Sequence, residues 1–303
     1  MSFDRVPQEL TDYILDFVQD HRTTLNSCLH VSRSFAEASR YHLYRDIDIH
    51  GRGESTAVQA RLAQLRRLIQ SPRTARYIRR LSIWSYPSPD KNRNMAAFIP
   101  VPFDLLELVL TQLQSLQHLQ LKYVYITNGD HGSSSYPSPP PSPLQSCFRR
   151  TLQSLELEGV AMDDLEMVLP TILSLAKPSS LSTSAVFPAK PNAVKSRRPS
   201  LPFLLHPAPT ASLRLMCVSD ECIQGLMSTL SDGHLRSLTI EGPHGPGRSV
   251  ELLGELFQNI STSLEELEMS EYMFRGKRPM VFTFYSIFNW YPSQAHYHGT
   301  KSL

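Results

Sequence analysis

Cysteine is scarce in this chain of 303 residues: Cys28, Cys147, Cys217 and Cys222 are its only four, and they are scattered. That excludes a disulfide framework and points to a reducing, intracellular setting, cytoplasmic or nuclear. An excess of either charge is lacking too. Thirty Lys and Arg against 28 Asp and Glu leave a formal net charge of +2, so no global field draws the protein to nucleic acid or an anionic membrane. Long hydrophobic runs are missing: no apolar stretch approaches the ~18 residues of a membrane span. The first residues, with Asp4 and Glu9, lack the apolar run of a signal peptide.

Chemistry-bearing motifs are equally sparse. The segment Gly242-Pro243-His244-Gly245-Pro246-Gly247 has glycines, but its prolines remove N–H donors and no Gly-Lys-Ser/Thr follows. No Gly-x-Ser-x-Gly nucleophile elbow occurs. His296 and His298 have no further metal ligand nearby in sequence, and Cys217 and Cys222 are not spaced as a zinc pair. Cys217 reads as a core residue. The expectation is a non-enzyme with no catalytic residue, no metal and no cofactor.

What is present is apolar patterning. Hydrophobic residues make up 41% of the chain, enough for a sizeable core. Near the N-terminus, Pro7 suits a first helical turn. Leu10, Ile14, Phe17 and Val18 recur at helical spacing, widened by Tyr13 and Leu15. Leu25, Cys28, Leu29 and Val31 rebuild an apolar face on a second helix, with Thr23 or Thr24 as its cap. A third helix runs through Phe35, Ala36 and Ala38 towards Tyr41. Three short helices cannot bury all this surface alone. The rest must pack on the following domain, on a partner, or on both.

The run Val6-Pro7-Gln8-Glu9-Leu10, with Ile14-Leu15 and Val31-Ser32-Arg33-Ser34-Phe35, resembles the F-box, especially its fungal variants. The similarity covers roughly residues 4–47. Val6 replaces the usual leucine, and 18–25 lacks the usual Leu-Pro. This resemblance implies binding to a Skp-family adaptor of a cullin–RING ubiquitin ligase. Docking an amphipathic helical face in a groove is a recurrent recognition mode. Pro7, Leu10, Ile14, Leu15, Leu29 and Val31 are the expected adaptor contacts.

The remainder carries six segments of Leu-x-x-Leu-x-Leu type, at 78–83, 116–121, 152–157, 213–218, 235–240 and 264–269. Their alternation suits short strands with one buried face. Helical patterns lie between them, at 58–69, 103–113, 162–175 (opened by Asp163-Asp164), 222–230 and 250–260. Pro170 should kink or end the third of these.

Strand–helix repetition suggests a degenerate leucine-rich-repeat solenoid behind the helical module, an α+β or α/β chain. Its spacing is irregular: Leu119 and Leu155 stand 36 residues apart, and Leu238 and Leu267 stand 29 apart. The alternative fold is an ordinary α/β domain with a parallel sheet.

The expected organisation is a helical module at 1–47 and repeats at 48–176 and 213–269. A disordered Pro/Ser/basic insertion occupies 177–212, and an atypical cap or tail 270–303. Segments 85–102 and 128–143 read as irregular. The exposed strand positions Gln117, Gln120, Gln153, Glu156, Arg236 and Glu268 are substrate-facing candidates by geometry.

One charge feature remains. Seven arginines (61, 66, 67, 73, 76, 79 and 80) and no acid fall between Ser55 and Ser88. Such a cluster can grip an acidic or phosphorylated partner, or simply form a solvated helix face. The functional expectation is a substrate-recognition adaptor of a ubiquitin ligase with an unknown protein substrate. The alternative is a repeat scaffold for protein binding without a ligase.

Overall fold

In the computed structural model the described residues are 6–53, 55–86, 97–128, 152–189, 210–217, 219–230, 234–241, 248–260, 263–271 and 280–285. Three helices open the chain: α1 (Gln8–Phe17), α2 (Arg22–Cys28) and α3 (Arg33–Tyr44). They enclose a small core of Leu15, Leu25, Phe35 and Ala38, with Val18, Cys28 and Leu43 packed against it. Ser32 caps α3 by accepting a hydrogen bond from the Phe35 N–H at 3.4 Å. Thr23 and Thr24 do not cap α2; His21 precedes it and makes no side-chain cap bond.

The body begins at once with β1 (Asp46–Gly51), followed by α4 (Thr56–Gln70), α5 (Pro72–Ala75), β2 (Arg80–Ser85), β3 (Ile99–Pro102), α6 (Phe103–Gln112), β4 (His118–Lys122) and β5 (Val124–Thr127). Next come β6 (Ser154–Glu158), β7 (Ala161–Met162), α7 (Leu165–Ala176), β8 (Ser180–Ser184), β9 (Phe187–Pro188) and β10 (Ser212–Met216). The chain continues with α8 (Asp220–Met227), β11 (Ser237–Glu241), α9 (Arg248–Ile260), β12 (Glu266–Glu271) and β13 (Met280–Tyr285). The main sheet runs β1-β2-β4-β6-β8-β10-β11-β12-β13, and a second sheet runs β3-β5-β7-β9. All pairings are parallel except β12 with β13. This is a mixed α/β chain with a mostly parallel sheet.

Strand order in the main sheet follows chain order without reversal. A doubly wound sheet reverses, and its ligand crevice forms at the reversal; this sheet has no such switch point. The register stacks like on like. Leu81, Leu119, Leu155, Leu181, Leu213 and Leu238 share one inward row, and every one is buried. Each contributes about 1.5–3 kcal/mol by burial. The five helical patterns fold as α4, α6, α7, α8 and α9, which neighbour one another in that order. Their apolar residues join the same core, among them Leu62 and Leu65, Leu106 and Val109, Ile172, Ile223 and Leu256.

The two sheets are joined by a recurring corner. Tyr123, Gly159, Ala185 and Cys217 each directly follow a main-sheet strand, and each is left-handed, with φ of 51°, 59°, 51° and 48°. Their N–H groups donate to the last carbonyl of the next strand, those of Glu158, Ser184, Met216 and Glu241, at 2.7–3.1 Å. The first three corners lead directly into buried valines, Val124, Val160 and Val186, and so into β5, β7 and β9.

Several expectations need correction. Segment 177–212 is not wholly an insertion. Ser180–Ser184 is a main-sheet strand paired to both neighbours, and Phe187–Pro188 joins the second sheet; residues 190–209 lie outside the described residues. Segment 85–102 ends in the strand β3, not in irregular chain. Residues 161–162 form β7, and the third helix starts only at Leu165, capped by Asp164 accepting from the Met167 N–H at 3.2 Å. Pro170 does not end that helix, which continues to Ala176. The hydrogen bond it forfeits would have fallen on the carbonyl of Glu166, in the first turn of the helix. The stretch expected as a cap or tail is different: its residues 280–285 do add to β12, as an antiparallel strand, and 286–303 lie outside the described residues.

Candidate functional site

Helix α1 carries two apolar stripes. Thr11, Leu15 and Val18 recur at helical spacing and turn inward, Thr11 and Leu15 fully buried and Val18 half-buried. Leu10, Tyr13, Ile14 and Phe17 form a second stripe, roughly 120° further round the helix, and are 53%, 61%, 47% and 70% exposed. Tyr13 and Phe17 pack edge to face, with ring centroids 4.8 Å apart. Val31, in the turn before α3, is also exposed. Among the described residues, six of the seven exposed large hydrophobic side chains lie between Leu10 and Tyr41. The apolar exposure is therefore concentrated on one module.

The expected adaptor residues thus separate. Pro7, Leu10, Ile14 and Val31 are exposed, and Leu29 is half-buried. Leu15 is the exception: it is 0% exposed and belongs to the module's own core, so it cannot be a contact. One residue along a helix turns the side chain by about 100°, which separates Ile14 from Leu15 although both are apolar. Pro7 stands just ahead of the first turn, and its carbonyl accepts from the Leu10 and Thr11 N–H groups at 3.1 Å.

The second surface is the polar face of the main sheet. One register row across it reads Asp48, Ser82, Gln120, Glu156, Ser182, Arg214, Thr239 and Glu268. It contains three of the six expected substrate-facing residues. The other three, Gln117, Gln153 and Arg236, lie one position before their strands. There their N–H groups donate to the carbonyls of Arg79, Gln117 and Ala211. They form a separate row along the entry edge of the sheet.

Neighbours on the polar face are knitted together. Ser82 donates to Gln120 at 3.0 Å, and the Gln120 amide donates to Glu156. Lys122 Nζ lies 2.9 Å from both Glu156 and Glu158. Burial works against the Glu156 charge, but Lys122 and Gln120 outweigh it and hold the carboxyl below the usual carboxylate range. Burial likewise opposes the Lys122 charge, and the two glutamates raise its pKa. In the same register row as Lys122, towards the β1 edge of the sheet, His50 stacks on Trp84 at 5.2 Å and Trp84 meets Tyr86 edge-on at 4.7 Å. Trp84 Nε1 donates to Asp48 at 2.7 Å. Sequence reasoning missed this aromatic patch, although the strand alternation that puts Ile83 inward puts Trp84 outward.

Among the described residues no group of three or more His, Cys, Asp or Glu side chains is placed to hold a metal ion. His296 and His298 lie outside the described residues. Cys217 is exposed at its left-handed corner, contrary to its expected place in the core. Cys222 is the buried one, and burial pushes its thiol up to about 12. Tyr125 is raised to about 12 by burial and by its hydrogen bond to Asp163. Among the described residues no helix is long and apolar enough to cross a membrane.

The fold and surfaces define a parallel-sheet α/β body with an apolar helical module at one end. No family model matches the chain, and no curated protein matches it.

Proposed function

We propose that this protein is a substrate-recognition adaptor of a cullin–RING ubiquitin ligase. The opening helices form an F-box-like module that binds a Skp-family adaptor, and the sheet body is an irregular leucine-rich-repeat-like solenoid that receives a protein substrate. The observation that carries the reading is the double-striped α1. The module closes a core of its own through Leu15, Leu25 and Phe35, and still turns Leu10, Tyr13, Ile14 and Phe17 outward. A contiguous exposed apolar stripe of this kind marks a protein-interaction surface. Chain-ordered strands with a shared leucine row and repeated corners support the repeat reading of the body. The protein itself would break no bond; it would raise the concentration of a target near the ligase.

The test is capture of a purified Skp-family adaptor by the full chain. Leu10→Asp with Ile14→Asp should abolish capture while leaving the thermal transition within a few degrees of the parent. Leu15→Asp should instead unfold the helical module, because a buried carboxylate without a partner costs several kcal/mol. Capture unchanged by the double variant would refute the docking face. A parent protein that captures no adaptor, yet binds other proteins through the sheet face, would favour the repeat scaffold without a ligase.

A further inference from the structure

The seven arginines between Ser55 and Ser88 do not form one patch. Arg61 donates to the His50 carbonyl, Arg66 pairs with Asp104, and Arg76 pairs with Glu37. Arg67 and Arg73 are exposed on α4 and α5. Only Arg79 and Arg80 converge, and they do so with Arg45, which lies outside the cluster in sequence. Together with Tyr41 and Gln117 they line an open cleft of about 290 Å³ where α3 meets the entry edge of the main sheet.

The cleft is held in place by backbone. The Arg45 carbonyl accepts from the N–H groups of both Arg79 and Arg80, at 2.8 and 3.0 Å. The Arg79 carbonyl accepts from Gln117 and His118 in the same way, at 2.7 and 3.0 Å. Arg45, Arg79 and Gln117 therefore occupy equivalent positions on successive strands, roughly 4.8 Å apart. Their side chains are oriented as well. Arg45 lies over the Tyr41 ring at 5.7 Å, with Nε donating to Asp46 at 3.1 Å. Arg79 Nη1 donates to the Ser115 carbonyl at 3.3 Å, and Arg80 Nε lies 3.9 Å from Asp46.

Each guanidinium carries five N–H donors, so most of the donor set is left for a ligand. Every lining side chain is a hydrogen-bond donor, and none is acidic. Three guanidinium charges face one carboxylate, Asp46. The excess of two positive charges matches a phosphate monoester, which carries close to two negative charges at neutral pH, better than it matches one carboxylate.

We propose that this cleft is a phosphate-recognition site that takes a phosphorylated serine or threonine side chain of a protein partner. The protein nature of the partner rests on the substrate-adaptor reading above; the anion chemistry does not.

The test uses the full chain and a short phosphoserine peptide, with the same peptide carrying serine or glutamate as controls, read by calorimetry. Saturable binding of the phosphopeptide alone is expected. Arg45→Gln with Arg80→Gln should weaken it by about tenfold or more, since charge-assisted bonds are lost. Arg67→Gln with Arg73→Gln removes the same charge elsewhere and should change it by less than about twofold. Equal weakening by both pairs would overturn the proposal, because only the general field would then be at work. Equal binding of the glutamate peptide, or displacement by a short RNA at matched concentration, would overturn it as well. The cleft variant should still capture a Skp-family adaptor if the parent does. Phosphopeptide binding without adaptor capture would sink the ligase reading and leave this site standing.

Discussion

Gly159 and Ala185 occupy the same structural position on successive strands, so exchanging their residue types should change stability in opposite directions. Both are left-handed, at φ 59° and 51°. An L-residue held there costs about 1–2 kcal/mol relative to glycine. Ala185→Gly relieves that cost but gives the unfolded chain extra freedom, worth about 0.4–1 kcal/mol. Its methyl is only half-buried, so little packing is lost, and the variant should gain roughly 0.5–1 kcal/mol. Gly159→Ala runs the other way and meets an obstacle: its new Cβ would lie 2.7 Å and 2.9 Å from Tyr123 Cδ1 and Cε1. Overpacking of this kind adds about 1–3 kcal/mol, so the total loss should be roughly 2–4 kcal/mol. Urea unfolding followed by circular dichroism checks this. The midpoint should rise for Ala185→Gly and fall for Gly159→Ala at unchanged slope. A neutral Gly159→Ala, or a destabilised Ala185→Gly, would refute the claim that these corners are one repeated device.

Two other outcomes follow from single side chains. Ser39 is fully buried in α3 and its Oγ has no hydrogen-bond partner among the described residues. Ser39→Ala should therefore stabilise the helical module by about 1 kcal/mol, through lost desolvation cost and better helix propensity, and a lowered melting temperature would contradict this. Burial opposes the Glu156 charge, but Lys122 and Gln120 outweigh it and hold the folded-state pKa below the ordinary value of 4.5. Its stabilising contribution is thus present above that value and is lost as pH falls through the folded one. Glu156→Gln should be less stable than the parent at neutral pH, and the gap should close on acidification below about 4.5; a gap that does not depend on pH would remove Lys122 and Gln120 as its cause.

The main sheet was legible in most strands whose inward positions are both aliphatic; β1, with Ile47 and Ile49 there, is the exception, straddling the end of the helical module. All six Leu-x-x-Leu-x-Leu segments contribute main-sheet strands. β8 escaped because Ser180-Leu181-Ser182-Thr183-Ser184 has a single aliphatic residue and sits in a proline- and serine-rich stretch. Its second inward position is Thr183, fully buried, with its hydroxyl near the Arg214 carbonyl at 3.5 Å. A usable signal was nevertheless present. Leu119-x-Leu121-x-x-Val124, Leu155-x-Leu157-x-x-Val160, Leu181-x-Thr183-x-x-Val186 and Leu213-x-Leu215-x-x-Val218 share one pattern. In the first three of these the valine starts the turn into the second sheet, whose strands of two to four residues are too short to show a period of their own; Val218 lies outside the described residues. The corners were silent because Tyr123, Ala185 and Cys217 are not residues that announce a positive φ.

At the N-terminus the difficulty was the reverse: too much apolar signal. Leu10, Tyr13, Ile14, Leu15, Phe17 and Val18 cover both stripes of α1, and no spacing rule says which stripe faces inward. The inward side is decided by partners from other elements. Leu25 from α2 and Phe35 from α3 meet Leu15, and once that contact forms, the rotation of α1 is fixed and Ile14 must turn away. The same contact makes the body unnecessary for closing the module's core. A helix whose inner stripe is satisfied has no folding reason to carry a second stripe of Leu, Tyr, Ile and Phe. That surplus, and not hydrophobicity as such, is what argues for a partner at this face.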